Sequence, residues 1–356
     1  KDTRVDTDWV WEAIYDIRDT QTLRLDLEQQ RMRVDQWFAR DAINTLFEPG
    51  CDHVAQVGCD WLARAGKRWR PFLTVCTAEA LKDAGALCEA DLRRVVVAVE
   101  CFHKASLIHD DIEDGDTERY GEPTLHCEHD MPIALNAGDY LLGQGYHLLV
   151  ENTLSSDQKA ALVHIAAQGH RTLCLGQGAE LAWTRSPRVL NVPEVIDIFR
   201  RKTAPAFEVA LLMGEVLSTQ HRDLEPILHQ YSEALGIAYQ IHDDLDDLLV
   251  GGAACKRILM RPSILMALAY DQADENEKAL LTAAYQGKVT IEAVLPVFKA
   301  LRIETQVAHL METYKSSAIA VLTRLDNASL KGLLRRVVSK IFFDFDIMGC
   351  CNDPQT

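Results

Sequence analysis

The segment DLRRVVVAVECFHKASLIHDD, residues 91–111, is apolar on almost every face after its first turn and then runs straight into carboxylates. A helix at the surface keeps a polar stripe, whereas one that is apolar all round is surrounded by other helices. This segment is therefore expected to be a central helix. EALGIAYQIHDDLDDLL (233–249) has the same form and the same acidic ending. Alternating strand patterns are scarce. Gly and Pro gather at breaks such as EPG (48–50), GEP (121–123), SPRVLNVP (186–193) and VGGAA (250–254), as expected of successive helices separated by turns. The fold class that follows is all-α.

The chain has 356 residues, 48% hydrophobic and 25% charged, enough apolar material for a substantial core. Its net charge of −16 argues against a nucleic-acid partner, because phosphate backbones require compensating Lys and Arg. Ten cysteines are scattered without a CxxC pair, and Cys350 and Cys351 are adjacent. That pattern suits buried thiols in a reducing cytoplasm better than a disulfide framework or a zinc site. The opening KDTRVDTDW has no apolar signal-peptide core, and the missing initiator Met leaves room for a start further upstream. No apolar run approaches the ~18 residues of a transmembrane segment.

The acidic endings carry the chemistry. Residues four apart on a helix share a face, so Asp110 and Asp114 project together while Asp111 turns partly aside. Asp243 and Asp247 repeat that spacing. One such run alone would be a solvated helix end. Two matched runs, each following a buried helix, point instead to hard divalent cations, and Mg²⁺ is typically held by one or two carboxylates together with substrate phosphates. Convergence of the two sets in one cleft is the expectation on which this reading rests.

Cations complete the pattern. AGKRWRP (65–71) sets Gly66, Lys67 and Arg70 around a turn, where two cations can meet a diphosphate. Arg119 follows the first acidic run at a distance suited to gripping a metal-bound phosphate. His103 lies two helical turns before Asp110 on a similar face; alone it would be a core histidine. PEVIDIFRRKTAPAFEVALLMGEVL (193–217) carries Pro205 mid-helix, where a kink is expected, bringing freed carbonyls and Lys202 beside Thr203 to a common space.

Taken together, GKRWRP, ECFHKASLIHDDIED, GEPTLH, GQGAELAW, RRKT and GIAYQIHDDLDD resemble, in order and spacing, the trans-isoprenyl diphosphate synthases of the polyprenyl synthetase family. The matching motifs lie within residues 61–265. The resemblance implies a single all-α isoprenoid synthase domain over 1–356, an antiparallel helical bundle around a deep central cavity. Residues 1–60 would form an N-terminal helical extension and 266–356 the C-terminal helices. It also implies a cytoplasmic homodimer and a transferase that condenses an allylic diphosphate with isopentenyl diphosphate, ionising the allylic C–O bond before the second double bond attacks. Asp110, Asp114 and Asp243 match positions that bind three Mg²⁺ ions, with Asp111 and Asp247 in support. Arg119, Lys202 and Gln240, with Thr203 beside them, correspond to groups holding the allylic diphosphate. Lys67, Arg70 and His103, with the backbone near Gly66, match the isopentenyl diphosphate pocket.

Two departures qualify the likeness. Tyr120 stands where the family carries a second arginine, and Glu122 adds a negative charge nearby. After the second acidic run the loop is short, leaving Lys256, Arg257 and Arg261 to substitute for the family's lysines, Lys256 being the expected phosphate contact. Ala105 and Ser106 are small, so no aromatic plug lies directly beneath the first acidic run, and Phe102 one turn deeper is the expected floor for a product of twenty carbons or more. A terpene cyclase, or an enzyme coupling branched prenyl units on the same scaffold, is the alternative. A silent subunit of a heteromeric synthase is disfavoured by the two intact acidic runs.

Overall fold

The computed structural model describes residues 27–64, 66–82, 87–119, 121–218 and 224–342. The all-α expectation is met: helices dominate, and the strand content among the described residues is one antiparallel ribbon in which Glu118 pairs with Pro123 and Arg119 with Glu122. The chain groups into two compact units. Among the described residues, the first takes those up to Ala167, those within 209–225 and those from Leu325 to Phe342; the second takes Gln168–Glu208 and Pro226–Arg324.

At the centre of the first unit stands the helix Glu89–Asp114. Glu89 and Asp91 occupy its first turn, where carboxylates meet the positive end of the helix dipole. Its valine run has modest helix propensity, but Val95, Val96, Val97 and Ala98 are fully buried, so packing holds the helix. Gly115 (φ +70°) stops it in the left-handed conformation, its N–H capping the Asp111 carbonyl, as a C-terminal glycine does. The last turn, with its acidic side chains, is thereby fixed.

The helix Met131–Val150 packs along this central helix at two glycines. A methyl group at Gly138 would collide with the His109 ring, and one at Gly145 would lie 2.7 Å from Phe102 Cε1. Helices His53–Ala63 and Trp69–Leu81 complete the surround. In the second unit the core gathers residues such as Phe199, Ile237, Ile241, Ile264, Leu265 and Val294.

The helix Val192–Ser218 runs unbroken with Pro205 inside it. The helix Glu225–Val250 extends beyond Asp247, and Tyr239, Leu249 and Val250 are exposed. It therefore differs from the expected all-round burial and acidic ending. The described cysteines are free thiols. Cys59, Cys76, Cys101 and Cys255 are buried, whereas Cys51, Cys88, Cys127 and Cys174 are exposed, so burial of thiols holds only in part; Cys350 and Cys351 lie outside the described residues. Among the described residues, no helix is long and apolar enough to cross a membrane.

Candidate functional site

In the first unit, the end of the helix Glu89–Asp114 carries the first acidic set. Arg119, on the short ribbon, sits among its carboxylates: Nε donates to Asp111 Oδ1 at 2.5 Å, and Nη2 lies 3.6 Å from Asp110 and 3.8 Å from Asp116. Asp111 is buried and Asp110 about one-third exposed. Burial raises the Asp111 carboxyl above its ordinary range, with Arg119 opposing the rise. Among the described residues, no donor reaches the buried Asp111 Oδ2. Arg119, expected to grip a phosphate, is thus engaged by the acidic set itself. Tyr120, expected to alter the second-substrate pocket, lies outside the described residues.

Across from this helix, the GKRWRP turn leads into the helix Trp69–Leu81 through Arg68, which adopts a left-handed conformation (φ +45°) at the N-cap. Pro71 fits the first turn, where its missing N–H costs nothing. Lys67 is exposed, while Gly66 and Arg70 are half-buried. Arg70 Nη1 lies 2.9 Å from His103 Nε2. Burial, then Arg70, Lys104 and Arg119, pushes the His103 imidazole well below its usual range. A neutral ring that accepts from Arg70 at Nε2 carries its proton on Nδ1. The family resemblance implies one pocket for Arg70 and His103, and the structure brings the two side chains into contact. Phe102 stacks edge-on against Tyr146, with centroids 4.9 Å apart; Ala105 is fully buried, and Ser106 Oγ donates to the His103 carbonyl.

The second unit carries the other set. Lys202 pairs with Glu180 at 2.8 Å, within the GQGAE stretch. The backbone around Lys202 is approached by two glycines: a methyl at Gly176 would come within 2.8 Å of Lys202 N, and one at Gly236 within 2.7 Å of Ala204 N. Thr203 and Gln240 are half-buried. Burial, partly offset by Arg261 and His242, lifts the Asp243 carboxyl to about 6.

Asp244 and Asp247 have protein partners. Asp244 Oδ2 accepts from Ser263 Oγ (2.9 Å) and the Ile264 amide (2.7 Å), and Oδ1 accepts from Arg261 at 3.3 Å. Asp247 accepts from Arg257 Nε and Arg261 Nη2, both at 2.9 Å. The short segment after the second acidic run therefore folds back on it through the 3₁₀ turn Ala254–Leu259. Arg257 and Arg261, which the sequence offered only as substitutes for phosphate-binding lysines, face carboxylates instead. Lys256, the expected phosphate contact, is exposed; the Glu292 carboxyl is lowered chiefly by its hydrogen bond with Thr290, and Lys256 adds only the smallest contribution. Asp244 and Ser263 were not singled out in the sequence; the HDDLDD run held the one, and nothing local marked the other.

Among the described residues, no cluster of three or more His, Cys, Asp or Glu side chains forms a ready-made metal cage. Magnesium does not require one, since substrate phosphates and water complete its octahedron. The buried, donor-free Asp111 oxygen beside Asp110 is hard-oxygen chemistry that fits such an ion.

The polyprenyl synthetase family model matches residues 52–301. Farnesyl diphosphate synthase of Haemophilus influenzae is 38% identical over 189 residues, which cover 51% of this chain and 62% of that protein; the match thus spans less than two-thirds of the relative's length. The geranylgeranyl pyrophosphate synthetase of Pyrococcus horikoshii has the same fold, with a TM-score of 0.75 at 22% identity over 88% of this chain and 98% of that one. The geranylgeranyl pyrophosphate synthase of Corynebacterium glutamicum, solved with isoprenyl diphosphate and magnesium, superposes with a TM-score of 0.72 at 22% identity, covering 88% and 97% of the two chains. Both acidic runs and the Lys67–Arg70 turn fall inside the matched span, and on that extent of agreement the chain belongs to the polyprenyl synthetase family.

Proposed function

We propose that this chain is a magnesium-dependent prenyltransferase that condenses an allylic diphosphate with isopentenyl diphosphate, giving a trans-polyprenyl diphosphate of twenty carbons or more. The observation that carries the reading lies within the first unit. A half-open acidic set (Asp110, Asp111, Asp114) and a cationic pocket (Lys67, Arg70, neutral His103) are built on the same central helix and the turn packed against it. One surface calls for a metal and the other for a diphosphate.

Asp110, Asp114 and Asp243 would hold magnesium, with Asp111 and Asp247 supporting them, and three ions are expected with diphosphate bound. When bound, magnesium supplies electrostatic stabilisation of charge developing on the departing diphosphate. Lys202 and Gln240, with Thr203 beside them, bind the allylic diphosphate. Arg119 joins them by exchanging part of its carboxylate pairing for phosphate oxygens. Lys67 and Arg70 fix the isopentenyl diphosphate as point charge and planar fork respectively, and His103, protonated on Nδ1, donates rather than competes as a cation. The proton lost after carbon–carbon bond formation leaves with the released diphosphate, so no side-chain nucleophile takes part. Phe102, braced by Tyr146 and Gly145, closes the hydrocarbon path. The working form is a homodimer in the cytoplasm.

The test is incubation of purified protein with Mg²⁺ and allylic diphosphates of ten to twenty carbons, with and without isopentenyl diphosphate, followed by mass analysis. Longer diphosphates formed only with both substrates, and abolished by EDTA, are expected. Hydrocarbons or alcohols from the allylic substrate alone would replace this reading with the cyclase one.

A further inference from the structure

Lys104 lies on the central helix between Cys101, Ala105 and Ile108, all of them buried, and is itself 1% exposed. An ammonium in such surroundings carries a heavy desolvation cost, and it is held there by specific neighbours. Its Nζ donates to the Arg64 carbonyl at 3.3 Å and lies 5.3 Å from the centre of the Trp61 ring. The Trp61 indole N–H in turn donates to the Lys104 carbonyl at 3.0 Å. Arg68 Nη2 shares the Arg64 carbonyl at 3.1 Å and also takes that of Ala63 at 3.0 Å. The entry to the GKRWRP turn is thus fastened from the central helix by one cation and from within the turn by another.

Glu100, one turn before Lys104 and 1% exposed, is acted on by Lys104, Arg70 and Arg68, and Asp35 acts on Arg68 as well. Among the described residues, no donor bonds the Glu100 Oε2. Lys104 also feels Arg64 and Arg119, which pair with Glu128 and with Asp111. Lys104 thus adds its charge to a cation-rich surround of the turn.

We infer that Lys104 is a positioning residue for the diphosphate-gripping turn, fastening the Arg64 carbonyl and adding a fixed buried cation to the group formed by Arg68, Arg70 and Arg119. The inference deepens the proposed isopentenyl diphosphate site and rests on that reading for the identity of its natural ligand. The geometric part, a turn whose entry is fastened by Lys104, stands without it.

The test compares the full chain with Lys104→Met and with the double variant Glu100→Gln/Lys104→Met, which removes both buried charges and keeps the fold accessible should the single variant misfold. Three quantities are read: inorganic pyrophosphate binding by calorimetry without metal, amide exchange over residues 66–69, and KM and kcat for isopentenyl diphosphate. In both variants, pyrophosphate affinity should fall about tenfold and exchange over 66–69 should accelerate. KM for isopentenyl diphosphate should rise about tenfold while kcat stays within about threefold. The double variant should regain the melting temperature of the unaltered chain but not its affinity. Recovery of affinity and exchange in the double variant would overturn the inference, because Lys104 would then merely answer the charge of Glu100; so would unchanged values in both variants. If the unaltered chain elongates nothing yet the binding and exchange changes appear, the elongation reading fails and the positioning role stands.

Discussion

Arg261→Met removes the cation shared by Asp244 and Asp247 while keeping much of the side-chain volume. Arg261 Nη2 reaches Asp244 at 3.3 Å and Asp247 at 2.9 Å, and these carboxylates are only 1% and 5% exposed. Stripping a buried carboxylate of its only partner costs about 3–5 kcal/mol. Here Asp244 keeps Ser263 and the Ile264 amide, and Asp247 keeps Arg257. The loss is therefore closer to one charge-assisted hydrogen bond, about 2–3 kcal/mol, or a melting-temperature drop of about 3–4 °C for a chain of this size.

The pH dependence of that loss tests the cause. Asp243 and Asp244 already sit at about 6, raised chiefly by burial, and Arg261 is the strongest influence lowering both. A carboxyl raised in the folded state contributes stability that is complete below its unfolded pKa and lost as pH rises through the folded value. Without Arg261 the folded values climb further, so the variant pays its full cost only above that range. Thermal unfolding followed by calorimetry should show the difference at pH 7.5 and a much smaller one at pH 5. Equal melting temperatures at pH 7.5, or a gap that widens toward pH 5, would refute the assignment of Arg261 as the counter-ion of this set.

Gly236→Ala, whose new methyl would press on the backbone at Ala204, should destabilise by about 1–3 kcal/mol and raise KM for the allylic substrate, read by thermal unfolding and steady-state kinetics; an unaltered KM would detach Lys202 from that substrate. Phe102→Ala should lengthen the product by at least one five-carbon unit, seen by mass analysis, and an unchanged product would remove Phe102 as the floor. Lys104, held by burial at about 8 rather than 10.5, binds a proton in the unfolded chain that the folded chain has already released between those values. Its contribution therefore favours folding increasingly as pH rises from 8 to 10, with a slope approaching about 1.4 kcal/mol per pH unit. That component should be missing from Lys104→Met when the two stability profiles are subtracted.

The central helix was legible because burial on every face leaves a direct mark on composition, though the structure carries it past residue 111 to Asp114. A turn rich in cations and a histidine on the central helix were visible in one dimension, but only the family resemblance joined Arg70 and His103 in one pocket. The reach of Arg257 and Arg261 was not legible. Helical spacing shows which side chains of one segment share a face, but an arginine ten or fourteen residues beyond a carboxylate meets it only if the intervening backbone folds back, as it does through the positive-φ glycines Gly251 and Gly252 and the turn after them. Lys104 was hidden for the opposite reason: one charged residue in an apolar run is taken as the run's polar edge until its exposure is known. Gly138, Gly145, Gly176 and Gly236 each mark a close approach by another element that no local pattern encodes.

These hidden partners make the two acidic runs, alike in sequence, unlike in electrostatics. In the first, Arg119 engages the set from one side and leaves the buried Asp111 Oδ2 without a donor among the described residues. In the second, two arginines, a hydroxyl and an amide occupy Asp244 and Asp247. A carboxylate already satisfied by guanidinium is a poor competitor for a hydrated Mg²⁺, because the ion would have to displace charge-assisted bonds as well as shed water. Asp243 differs from both neighbours in its partners: like Asp244 it is lifted to about 6 by burial, but Arg261 acts on it only through the field. An incoming divalent cation would relieve that burial cost directly. On the proposed function the repeated spacing would conceal a division of labour, in which the second run offers Asp243 to the ligand while Asp244 and Asp247 tie the helix to the segment that follows it.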